Sequence, residues 1–168
     1  MPLPLQNQWD MALIKSDFPW MYLPDATWPN KKIEKKQSCP SFGNTLYDKK
    51  GEYISPYFQQ FYGGISIINE LIQKQYNDIY RFRAGLIFPE MSKRKHHNPH
   101  KDYDFDHTTI LYYVNDTDGD TFFFDNDYNI VESITPRKGR IVVFDGSQIH
   151  ASSSPSDEIR VVVNINYV

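Results

Sequence analysis

The feature that most limits what this chain can fold into is a change of hydrophobic period near residue 78. Before it, GGISIINELIQKQYN (63–77) places Ile68, Leu71 and Ile72 at helical spacing, with Gly63 and Gly64 ahead and Asn77 at the end. After it the period falls to two. In IYRFRAGLIF (79–88), Tyr80, Phe82, Ala84, Leu86 and Phe88 share one side. Further strands are predicted at 108–115, 121–125, 128–133, 139–145 and 159–167, separated by the Asp/Asn/Gly-rich spacers DTDGD, DND, DGSQ and SPSDE. Many short strands joined by turns, with one helix ahead, predict a mainly β sandwich, barrel or jelly roll and exclude alternating βα units. The helix carries one apolar stripe, which needs a sheet face to cover.

The front of the chain carries much less pattern. Pro2, Pro4, Pro19, Pro24, Pro29, Pro40 and Pro56 interrupt it. We therefore expect 1–56 to be an irregular segment packed on the barrel. It should hold one short strand in LIKSDFPWMYLP and a long loop at 37–56, anchored by Phe42, Leu46, Tyr53 or Tyr57. The run KKIEKK reads as a solvated face. With 168 residues, the expectation is a single domain over 1–168 with its core at 79–168. The lone cysteine, Cys39, excludes an internal disulfide. No apolar run reaches the roughly 18 residues of a spanning helix, and the first residues lack an export pattern. A cytoplasmic protein without membrane contact is the expectation, as a monomer or as a homodimer through edge strands.

The net charge of −3 hides an imbalance. Up to Lys101 there are 14 lysines and arginines against 9 acids; from Asp102 onward there are 4 against 12. The acids flank apolar runs, so they belong to loops of a folded region, where one or two can bind a cation. The basic stretch Lys93, Arg94, Lys95, His96, His97 and Lys101 stands directly before them. It reads either as a solvated loop or as a rim for an acidic peptide, nucleotide or nucleic acid, and loop 93–101 leaves nucleic acid open as a partner.

Three side chains stand out by their relation to the strands. His100 and Asp102 form His-x-Asp ahead of TTILYYVN, and His150 follows GRIVVFD. In an antiparallel barrel these positions can meet at one mouth. Two imidazoles and one carboxylate suit iron(II) with open positions, whereas a closed zinc site prefers four ligands and cysteine. Taken singly, each histidine reads equally well as a loop or structural residue. Arg160 stands ten residues after His150, and Thr109, Leu111 and Tyr113 share a strand face. A guanidinium fork with a hydroxyl beside it can hold the far carboxylate of a diacid whose other end chelates the metal. Singly, Arg160 also reads as an edge ion pair with Asp157 or Glu158, and Tyr113 as a core aromatic. His107 reads as a supporting residue.

HKD (100–102), TTILYYVN (108–115), DGDT (118–121), GRIVVFDGSQIH (139–150) and Arg160 together resemble the iron(II)/2-oxoglutarate-dependent dioxygenase superfamily, in its prolyl-4-hydroxylase-like branch of short bacterial and phage members. The resemblance covers roughly residues 80–168 and implies a double-stranded β-helix, a jelly-roll or cupin-like fold, with one or two supporting helices before the core strands. It implies His100, Asp102 and His150 as iron ligands and Arg160 as the anchor of the 2-oxoglutarate 5-carboxylate, assisted by Tyr113, with Thr109 in the pocket. It also implies 2-oxoglutarate and O2 as cosubstrates, with ascorbate as a candidate accessory reductant. The reaction implied is hydroxylation of an unactivated C–H, with peptidyl proline as a candidate, releasing succinate and CO2. The branch usually has Gly-Gly-Glu-Thr where this chain has Asp118, Gly119, Asp120 and Thr121. The competing reading is a non-catalytic, metal-containing jelly-roll module that binds a sugar, peptide or host protein.

Overall fold

Alternation along the strands sorts side chains into two environments, and that sorting builds the molecule. The computed structural model describes residues 1–25, 39–90 and 94–168, so KKIEKK, Pro29 and Lys93 lie outside the described residues. The elements are α1 (Leu3–Ile14), β1 (Met21–Leu23), β2 (Ser41–Asp48), β3 (Tyr53–Ile54), α2 (Tyr62–Ile72), β4 (Ile79–Ile87), β5 (Thr108–Tyr113), β6 (Thr121–Phe124), β7 (Ile130–Ile134), β8 (Ile141–Asp145), β9 (Ile149–Ser152) and β10 (Arg160–Tyr167). The larger sheet runs β1-β2-β4-β10-β5-β8, with β3 paired to β2; the smaller runs β7-β6-β9, and all pairings are antiparallel. This is the mainly β, double-stranded β-helix arrangement. No helix among the described residues is long and apolar enough to cross a membrane.

One face of the large sheet is the core. Phe82, Ala84 and Leu86 of β4, Ile110 and Tyr112 of β5, and Val161, Val163, Ile165 and Tyr167 of β10 are buried there with Trp9, Leu13, Phe61, Ile65 and Ile68 from the helical side. A bulge between Asn166 and Tyr167 brings Ile79 rather than Tyr80 into register with this face, and Phe88 is exposed. The opposite face presents Arg81, Arg83 and Gly85, then Leu111, then Arg160, Val162 and Asn164, toward residues of β6 and β9. The helices cover one side of the sheet and leave the other free for chemistry.

Two expectations for the front of the chain need correction. The prolines do not prevent a helix: Pro2 is the residue before α1 and Pro4 lies in its first turn, where a missing N–H costs nothing. Trp9 of that helix packs edge-on to Phe61, Phe82 and Tyr112, with ring centroids at 5.3, 6.1 and 4.8 Å. The loop expected at 37–56 contains β2, an eight-residue strand paired with β1, β3 and β4. Its Ser, Gly, Asn and Thr residues resemble a loop, but its backbone groups are spent on those neighbours, and Leu46 is fully buried. The glycines placed ahead of α2 lie inside it. A side chain on Gly64 would run into the Trp9 ring, so glycine is what lets α2 approach α1.

Candidate metal centre

Strand β9, only four residues long, is an element the sequence did not reveal, and it carries His150. Its backbone meets that of His100 in an isolated antiparallel bridge: His100 N donates to His150 O at 2.9 Å and His150 N to His100 O at 3.0 Å. Fifty residues of sequence separation are thereby closed, and the two ring centroids stand 4.7 Å apart. Donor atoms of His100, Asp102 and His150 all lie within 4.8 Å of one another.

Each ligand candidate is oriented by a partner behind it. His100 Nδ1 lies 3.0 Å from Asn98 O, and His150 Nδ1 lies 3.1 Å from Gln148 O. A carbonyl only accepts, so each Nδ1 carries the hydrogen and each Nε2 keeps a free lone pair. Asp102 Oδ2 accepts from Asn164 Nδ2 at 3.0 Å and Asn166 Nδ2 at 2.9 Å. Oδ1 faces His100 Nε2 at 4.0 Å and Arg81 Nη2 at 3.5 Å. Burial pushes the Asp102 carboxyl up, but the opposing pull of His150, Arg81 and His100, with the Asn166 hydrogen bond, holds it well below the usual carboxylate range. Burial, reinforced by His100 and opposed by Asp102, pushes the His150 imidazole down to about 4. A neutral imidazole and an ionised carboxylate are the states that a metal ligand needs. This donor set of two nitrogens and one oxygen fits iron(II) with open positions.

Arg160 is 3% exposed and lines the same cavity. It makes no edge ion pair with Asp157 or Glu158. Its Nε donates to Gly119 O at 2.7 Å and its Nη2 to Thr121 Oγ1 at 2.9 Å. Among the described residues no carboxylate pairs with it, so a buried cation shares the cavity with the three candidate ligands and meets no counter-charge there. Tyr113 OH donates to Thr121 Oγ1 at 2.7 Å, and the guanidinium lies 5.7 Å from the Tyr113 ring centroid. Tyr113 thus reaches the cavity through Thr121. With both lone pairs of its oxygen occupied, the Thr121 hydroxyl hydrogen is left for an acceptor in the cavity that Thr121 lines. Thr109 is fully buried and accepts from Asn166 Nδ2 at 3.1 Å, which puts it behind the support of Asp102 instead of on the cavity wall.

The DGDT segment also has a physical account. A Cβ on Gly119 would stand 2.9 Å from Arg160 Cδ, so the glycine that persists is the one the arginine lies against. Asp118, in the place of the other glycine, accepts from Ser156 N at 2.9 Å and from the Ser156 hydroxyl, tying two loops together.

The basic stretch is largely absorbed by the fold. Arg94 pairs with Glu90 at 2.9 Å, and His96 packs edge-on to Phe124. His97 is buried, with Nδ1 3.0 Å from Ser152 Oγ and Nε2 3.0 Å from Ser154 Oγ, while Ser154 donates to Glu90. His107 stands apart from the ligand cluster; its Nδ1 lies 2.7 Å from Phe105 O. Asn164, Asn166, Arg81 and Arg83 also stand at the cavity or behind Asp102, in strands whose sequence does not mark them as site residues. The signal available was polar residues at alternating positions of otherwise apolar strands, in VVVNINY and IYRFRAGL.

Residues 86–168 match the family described as the 2OG-Fe(II) oxygenase superfamily. A search of curated proteins finds no match. Among solved structures, the fold is similar to a prolyl hydroxylase from Trichoplax adhaerens, solved with a hypoxia-inducible-factor peptide fragment. That match has 13% identity, covers 99% of this chain and 79% of that one, and has a TM-score of 0.66. An oxidoreductase of the 2OG-Fe(II) oxygenase family from Burkholderia pseudomallei matches at 9% identity over 89% of this chain and 72% of that one, with a TM-score of 0.64. A Pseudomonas putida prolyl-4-hydroxylase matches at 15% identity over 76% and 68%, with a TM-score of 0.50. At these identities the likeness is one of fold. The family match spans His100, Asp102, His150 and Arg160, and the donor set where the first three meet is one that iron(II) accepts; residues 86–168 of the chain belong to the 2OG-Fe(II) oxygenase superfamily.

Proposed function

We propose that this 2OG-Fe(II)-dependent oxygenase hydroxylates an unactivated C–H bond, with iron held by His100, Asp102 and His150 and 2-oxoglutarate held at its far carboxylate by Arg160. Bound iron and cosubstrate supply the oxidising chemistry, in which O2 and 2-oxoglutarate become succinate and CO2 and one oxygen atom enters the substrate. The protein's own residues place the reactants. Asn164 and Asn166 hold one oxygen of Asp102 and leave the other toward the histidines. Asn98 and Gln148 aim the two Nε2 atoms inward. Arg160, braced by Gly119 O and Thr121, fixes the orientation of the diacid, and the Thr121 hydroxyl supplies a further donor. Peptidyl proline is the first prime substrate to test, because prolyl hydroxylases from two organisms share this fold.

The observation that carries the reading is Arg160, buried and paired with no carboxylate among the described residues, in one cavity with an open three-ligand set. A metal-containing binding module has no use for a carboxylate anchor there. The test is an anaerobic Fe(II) titration with and without 2-oxoglutarate, followed by its metal-to-ligand charge-transfer absorption. We expect the band in the wild type and none in His150→Ala, which should also form no succinate. Full turnover in metal-free protein or in the His150 variant would overturn the assignment.

A further inference from the structure

Beside the proposed cosubstrate anchor, the cavity holds a second cationic position. Arg81 and Arg83 both project from β4 on its cavity face. Their roles differ. Arg81 faces Asp102 at 3.5 Å, and its guanidinium lies 4.9 Å from the Tyr103 ring centroid. Arg83, among the described residues, donates no hydrogen bond and pairs with no carboxylate. Asp102 does not need it, since Asn164, Asn166 and Arg81 already face that carboxylate.

Room for this guanidinium is built into the neighbouring strand. A Cβ on Gly43 of β2 would stand 2.9 Å from Arg83 Nη2 and 3.0 Å from Nε, so any other residue there would displace the fork. The register separates Arg83 from the cosubstrate anchor. Arg83 is opposite Asn164 and Arg160 is opposite Ile87, four residues apart along β10 and therefore roughly 13 Å. The Asp102 supports lie at the Arg83 end. Charge points the same way. With iron(II), the Asp102 carboxylate, dianionic 2-oxoglutarate and Arg160 in place, formal charges cancel, and Arg81 and Arg83 remain as excess cations.

We propose that Arg83 is the recognition residue for a negatively charged group, carboxylate or phosphate, on the prime substrate. The proposal rests on the functional reading above, because it assigns Arg160 and not Arg83 to the cosubstrate. A guanidinium fork reads either anion through paired N–H donors, and it rejects a neutral amide of the same shape because that amide leaves the charge uncompensated.

The test uses the full chain loaded with Zn(II), which prevents turnover, and saturating 2-oxoglutarate. The side-chain Nε–H resonances of its six arginines are followed by NMR, and the Arg83 signal is identified by its loss in Arg83→Gln. Probes are inorganic phosphate, acetyl-Asp-Pro amide and its neutral match acetyl-Asn-Pro amide. We expect the Arg83 signal to move with an anionic probe, about tenfold weaker binding or worse in Arg83→Gln and for the neutral peptide, and partial recovery in Arg83→Lys. A response to the acidic peptide alone assigns a peptide side chain, and one to phosphate alone assigns a phosphorylated small molecule. Equal binding of both peptides, unchanged binding in Arg83→Gln, no response to any anion, or movement of the Arg83 signal by 2-oxoglutarate alone would overturn the proposal. If 2-oxoglutarate itself does not bind, the functional reading fails first, and that outcome is seen before any probe is added.

Discussion

At the scale of single residues, the candidate centre is set by what stands behind each of its three donor residues. Asn166 touches both Asp102 and Thr109, so it transmits the position of β5 to the carboxylate. Replacing Asn166 by Ala removes one of two donors on Oδ2 and should weaken Fe(II) or Mn(II) binding about tenfold, as outer partners of metal ligands commonly do. A metal titration checks this; unchanged affinity would mean that Asn164 alone suffices. Arg160 differs because it touches no ligand in the triad. Arg160→Gln should lower 2-oxoglutarate affinity by about ten- to a hundredfold while metal binding stays intact, because it removes a charge-assisted pair. Separate metal and cosubstrate titrations distinguish the two effects. The sequence singled out the three candidate ligands and Arg160 because their types and order carry chemistry, and the fold brings them to one cavity. It concealed the asparagines because amides in a strand have no chemistry until the fold aims them at something.

At the scale of elements, the molecule depends on one face of β4, β5 and β10 being sealed by helices while the other stays open. Trp9 is part of that seal, fully buried against the rings of Phe61, Phe82 and Tyr112. Trp9→Ala should cost about 3–5 kcal/mol in urea unfolding, the range for a large buried aromatic. Metal affinity at native conditions should change far less, because the ligands sit on the opposite face. The front segment is more regular than its composition suggests, for a reason that belongs to this scale. Proline breaks a helix interior but is neutral in a first turn, and composition alone does not say which turn a proline will occupy. Strand β2 was hidden in the same way: Ser41, Gly43 and Asn44 suit a loop until β1 and β4 supply partners for their backbone.

At the scale of the whole molecule, loop 94–100 is fastened to the end of β9 by His97, and this makes stability depend on pH. His97 is buried, and burial, aided by Arg94 and Arg160, pushes its imidazole down from the ordinary 6.5 to about 4. The unfolded chain binds the proton more readily, so stability is complete above about pH 6.5 and falls as pH drops toward about 4. Between about pH 7.5 and about pH 5 the loss from this residue should be about 2 kcal/mol. Urea unfolding at the two pH values checks it, and His97→Gln should flatten the dependence by that amount. What the sequence by itself determined was the period-two chain after residue 78, the apolar helix α2 just ahead of it, and the order His100, Asp102, His150, Arg160; these follow from local steric preference and from the chemistry of residue types. The tertiary structure alone decided that β9 exists and meets His100, that Asp102 is held by two amides, and that Arg83 pairs with no carboxylate among the described residues. Those outcomes depend on register between strands far apart in the chain, where a shift of one residue would turn every side chain to the other face.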